Sequence, residues 1–110
     1  MKKIKAKRGF CYENAFRFIM DNPDWILVHG IVIGSGPTNL GKEMGHAWAE
    51  NETDCYDPYT DIIILPELFY HFGQVKYVVK YTFKEALSLA NKHKTYGAWD
   101  SKINKTLHRK

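Results

Sequence analysis

Between Cys11 and Asp21 the apolar positions Tyr12, Ala15, Phe16 and Ile19 recur at i, i+3, i+4 and i+7. That spacing predicts a helix with one buried face, stopped by the Asn22-Pro23 breaker. Residues 25–33 (WILVHGIVI) are continuous and β-branched, the pattern of a buried strand. Residues 34–45 are polar and glycine-rich and read as a loop, with a flexible lid beside His46 as its more interesting role. The runs 46–50 and 55–58 flank a polar NETD segment, which predicts a hairpin. Residues 62–65 form another short apolar run, and 66–72 (PELFYHF) a short helix with proline in its first turn. Residues 75–83 alternate like a strand. A helix over 84–94 follows, with Thr82 and Glu85 placed to form a capping box. Residues 95–110 show no clear period. The order helix, strand, hairpin, strand, helix predicts an α+β domain.

The chain has 110 residues, 45% hydrophobic and 15% aromatic, enough for one core without staples. The expectation is one domain, 1–110, with a basic arm at 1–8, a folded core at 9–94 and a basic tail at 95–110. No apolar run approaches the roughly 18 residues of a membrane span. The start MKKIKAKR continues into charged positions unlike a secretory signal, and two cysteines make no disulfide scaffold. A cytoplasmic protein is the expectation. The net charge of +4 is polarised: residues 1–8 carry +5, residues 92–110 carry +5, and the stretch between them carries −6. Basic ends of this kind are more often solvated tails than nucleic-acid surfaces, so nucleic acid stays a weak expectation.

Three residues carry the candidate chemistry. Cys11 opens the first helix, where backbone N–H groups and the positive end of the dipole favour a thiolate. Gly9 lets the chain turn tightly into that helix. His46 is placed to take the thiol proton and return it to a leaving group, and Asp57 to orient the imidazole and stabilise its cation. The hairpin ties the last two together. A two-residue loop at Asn51-Glu52 puts His46 directly across from Asp57, and Trp48 across from Cys55, at Cβ separations of about 4.5–5.5 Å. A four-residue loop shifts the partner but keeps Asp57 on the face of His46, because side chains alternate.

The strings GFCYENA at 9–15, VHGIVIG at 28–34, HAW at 46–48 and YDP at 56–58 resemble the transglutaminase-like branch of the papain-like cysteine enzymes. The match covers roughly residues 9–65. The resemblance implies a nucleophile helix packed on an antiparallel sheet. It also implies a Cys11 nucleophile, a His46 base, an orienting Asp57 and attack on an amide or ester carbonyl, with no cofactor and no metal. The expected activity is that of a protease, amidase, deamidase or transglutaminase, with a peptide or protein amide as substrate. Hydrolysis is favoured over transfer, because a small domain excludes water poorly. Such enzymes usually donate an oxyanion hydrogen bond from an aromatic or amide side chain upstream of the cysteine. Residues 1–10 hold no Trp, Tyr, Gln or Asn. Asn14 is a substitute candidate, although a structural bond to nearby backbone is its commoner role. Trp48 is expected to shield the His–Asp pair, and Cys55 to be core.

Each residue also has a plainer reading. Cys11 alone fits a buried helix cysteine, His46 a satisfied strand histidine, and Asp57-Pro58 a turn. A second hypothesis follows: an inactive binding or inhibitory module that docks an acidic protein or nucleic acid through its basic ends. Cys11, His29, His46, Cys55 and Asp57 are all metal-ligand types but lack zinc spacing. His71, His93 and His108 read as solvated, and Glu50, Glu52 and Asp54 as an acidic hairpin tip.

Overall fold

A computed structural model describes residues 1–107. The element order is α1 (Cys11–Asp21), β1 (Ile26–Ile33), β2 (Glu43–Glu50), β3 (Cys55–Asp57), β4 (Ile62–Ile64), α2 (Pro66–Phe72), β5 (Tyr77–Tyr81), α3 (Phe83–His93) and α4 (Ser101–Leu107). The strands form one sheet in the order β4-β3-β2-β1-β5, and every neighbouring pair is antiparallel. The class is α+β, as the element pattern predicts.

Alternation along the strands divides the core. On one face Leu27, Ala47, Ala49 and Tyr56 pack with Ala15, Phe18 and Ile19 of α1, and Ile31 packs with Ile103 of α4. On the other, Val28, Trp48 and Cys55 pack against Phe69 and Tyr70 of α2. Complete burial of a side chain such as Phe18 or Ile19 contributes roughly 1.5–3 kcal/mol. These contacts therefore hold α1, and with it Cys11, against the middle of the sheet.

Local signals account for the helix ends. Gly9 turns the chain at φ +81°, a conformation that other residues adopt at a cost. Phe10 then caps α1 with no side-chain hydrogen bond, so no cap side chain takes the N–H groups of the first turn. Thr82 and Glu85 form the expected capping box on α3.

Four expectations are corrected. The segment 1–8 is an arm laid along α1 and not a free tail. Asn14 exchanges two hydrogen bonds with the Lys7 backbone at 2.9 and 2.8 Å, and Asn22 does the same with Lys2, both at 2.7 Å. The tail read at 95–110 contains α4, whose Ile103 is fully buried; residues 108–110 of that expected tail, with His108, lie outside the described residues. Strand β2 begins at Glu43, three residues before the predicted start. The loop before it is knitted by backbone bonds Gly34 N–H to Lys42 O, Gly41 N–H to Gly34 O and Lys42 N–H to Asn39 O. The loop thus stands beside His46 with its own backbone bonded across it. Lastly, Glu50 is buried and not part of a solvated tip. It accepts from Trp48 Nε1 at 2.9 Å and Tyr70 Oη at 2.6 Å and pairs with Lys80 at 3.1 Å. Burial alone would raise its pKa, but these donors outweigh burial and hold it below the ordinary range.

His29 lies in the core face, fully buried among Tyr12, Tyr81 and Trp99, with neither ring nitrogen hydrogen-bonded. Burial pushes its pKa down to about 3, the Asp100 charge opposing only in part. A depressed histidine pKa gives stability that is present above the unfolded value of about 6.5 and lost as pH falls toward 3. Moving from pH 7.5 to pH 4.5 therefore costs about 2–3 kcal/mol through this residue. Thermal unfolding of His29→Leu is expected to lose correspondingly less over that window than the wild type. Equal losses in the two proteins would contradict the assignment.

Candidate active site

The hairpin joining β2 and β3 pairs Ala49 with Tyr56 and Glu50 with Cys55 across a four-residue loop. His46 is therefore not directly opposite Asp57, as the two-residue loop predicts, but Asp57 stays on its face. The two side chains meet diagonally, His46 Nε2 lying 2.7 Å from Asp57 Oδ2. The other carboxylate oxygen, Oδ1, accepts the Tyr59 N–H at 2.9 Å, a turn closed behind Pro58. Asp57 is thus buried with both oxygens engaged, and it fixes the ring with Nε2 toward the acid.

The remaining ring nitrogen, Nδ1, is left for the thiol. The Cys11 side chain interacts with the His46 ring from the N-terminus of α1. Strand β3 ends at Asp57 and pairs only with the last two residues of β2. The edge of β2 at His46 is consequently free of a strand, and the N-terminus of α1 approaches there. Burial alone would lower the His46 pKa. The hydrogen bonds and charges of Asp57 and Cys11 outweigh it and raise it, to about 10. A ring that holds its proton at neutral pH is the partner a thiolate needs.

Trp48 is fully buried and stacks on His46, with ring centroids 5.9 Å apart and planes at 28°. One side of the imidazole is covered as expected. The His46 side chain is 21% exposed and Cys11 is half-buried, so the pair is open to solvent. Both line a cavity of about 870 Å³ together with Asn39, Lys42, Met44 and Tyr59.

Asn14 is fully buried, and both ends of its amide bond the Lys7 backbone, so it fixes the arm ahead of Cys11 and does not line the cavity. Cys55 is core beside Trp48, and both cysteines are free thiols. Burial, with Glu50 adding, pushes the Cys55 thiol up and away from reactivity. His71 and His93 are exposed, and among the described residues no group of three potential ligands gathers round a metal position. Sequence reasoning missed the Tyr59 N–H, which the Asp-Pro turn signals, and Asn39, which nothing in its loop distinguishes by pattern. No family model, no curated protein and no solved structure matches this chain.

Proposed function

We propose that the domain performs thiol-dependent acyl chemistry, cleaving an amide or ester with Cys11 as nucleophile, His46 as acid and base and Asp57 as orienting carboxylate. The observation that carries this reading is an imidazole held at Nε2 by a buried carboxylate, lining one cavity with a thiol at the N-terminus of a helix. The quoted strings resemble transglutaminase-like, papain-like enzymes, and a helix bearing Cys11 on an antiparallel sheet is compatible with that fold.

In this reading Cys11 Sγ attacks the carbonyl carbon, and the C=O electron pair moves onto oxygen. Collapse of the tetrahedral species expels the amine or alkoxide, which takes its proton from His46. A water then gives a proton to His46 as its oxygen attacks the thioester, and the acid leaves as Cys11 is regenerated. The half-exposed site favours water over an amine as acceptor.

The test is acylation by p-nitrophenyl acetate, with the acetyl group located by mass spectrometry and Cys11→Ala as blank. Acetyl-Cys11 that forms and turns over supports the reading. A protein never acetylated at Cys11 would leave the binding module as the better account. Asp57→Asn is expected to slow acylation by about 10²-fold or more, since the ring loses its orienting charge. In a proton NMR titration of the wild type, His46 stays protonated above pH 8, and Asp57→Asn moves that titration down. An unmoved titration would show that Asp57 does not set the state of the ring.

A further inference from the structure

The proposed chemistry places negative charge on a carbonyl oxygen beside Cys11. The N–H groups of the first turn of α1 supply one source of donors, and the wall facing them supplies another. Loop 34–42 is built around the Asn39 side chain. Its Oδ1 accepts the Gly36 N–H at 2.8 Å, which determines which end of the amide is oxygen and which is nitrogen. Gly34 has no side chain where any would collide: a Cβ there would stand 2.6 Å from Asn39 Cγ and closer still to the Asn39 backbone oxygen. The amide is therefore held with its NH₂ end away from the loop.

That NH₂ group has two protons to give. One goes to Met44 Sδ at 3.0 Å, a weak acceptor, and among the described residues the other has no partner. Met44 and His46 share a face of β2, two residues and so about 7 Å apart along the strand. Asn39, Met44, His46 and Cys11 line one cavity together, and a donor that reaches an oxyanion at about 3 Å there stabilises it.

We propose that Asn39 Nδ2 donates the side-chain hydrogen bond to the oxyanion of the acyl group on Cys11. This rests on the acyl-chemistry reading and adds to it a donor from the loop preceding the His46 strand. It assigns Asn39 a catalytic role and explains why two glycines crowd one amide.

Two probes of Cys11 separate this role from loop support. Iodoacetamide alkylates the thiol at a saturated carbon and forms no oxyanion, whereas p-nitrophenyl acetate acylates it through one. Asn39→Asp keeps Oδ1 for the Gly36 N–H and removes the donor. It is expected to lower acylation by about 10²–10³-fold and leave alkylation within about twofold of wild type. Asn39→Ala is expected to give the same split, with the alkylation rate reporting that the Cys11–His46 pair has kept its geometry. Unchanged acylation in Asn39→Asp overturns this proposal alone. Acylation and alkylation falling together in both variants also overturns it, because Asn39 then only supports the loop. A wild type that alkylates at Cys11 but is never acylated overturns both this proposal and the reading beneath it.

Discussion

Replacing His46 with alanine is expected to slow acetyl transfer from p-nitrophenyl acetate through Cys11 by about 10²–10⁴-fold. Two steps lose the same group. In acylation, nothing holds the thiol proton near the sulfur or returns it to a leaving group. In deacylation, nothing takes a proton from water. The second loss is the cleaner one: a thiolate is a good nucleophile by itself, but water attacking a thioester needs a base. Acetyl-Cys11 should thus persist on the variant once formed, detectable as a stable mass increment. The fold should tolerate the change. His46 sits 21% exposed at the open edge of β2, so its removal opens no core, but it leaves the buried Asp57 carboxylate short of a partner at a cost of about 1–3 kcal/mol. A variant that turned over at the wild-type rate would remove His46 from the chemistry.

Trp48→Ala is expected to destabilise the domain by about 3–5 kcal/mol, the range for deleting a large buried aromatic. For a domain of this size that lowers the unfolding midpoint by roughly 12–30 °C. Trp48 is fully buried against Phe69 of α2, 4.7 Å between ring centroids, and covers the His46 ring on its other flank. Its Nε1–H is one of the donors on the buried Glu50 carboxylate, so truncation also leaves an anion short of a partner. Trp48→Phe keeps most of the packing and loses only that donor. Its cost should be about 1–3 kcal/mol, with Cys11 reactivity retained. Differential scanning calorimetry on the two variants checks the ordering. Equal and small shifts would mean that the α2 layer does not depend on this ring.

How much of this is legible in the sequence depends on the kind of signal. Period and capping chemistry are local, and they located α1, α2 and the Thr82–Glu85 cap closely. Face parity in the hairpin is nearly local too: it put His46 and Asp57 on one side whatever the even loop length. It could not choose between two- and four-residue loops. The longer loop won because Asn51 Oδ1 accepts from the Thr53 and Asp54 N–H groups and so closes a wider turn. The meeting of Cys11 with His46 depends on where β3 stops, which no periodicity encodes. Features built on single polar side chains stayed hidden. Asn14 and Asn22 dock the arm, and Glu50 gathers three donors from β2, α2 and β5. Charge counting reads these residues as surface, because burial of a polar group depends on partners distant in the chain. Helix α4 was missed for another reason: its seven residues, with Ile103 a fully buried apolar anchor, are too few to show a period.

The central claim is that Cys11 and His46 act as one charged pair. Its most direct test is the rate of Cys11 alkylation by iodoacetamide from pH 5 to pH 9, located by mass spectrometry, in wild type and His46→Ala. The account predicts that His46→Ala slows the alkylation of Cys11 strongly, most of all at the acid end of the range. A wild-type rate that rises only toward about pH 8.5, as for an ordinary free thiol, and that does not respond to His46→Ala would contradict it.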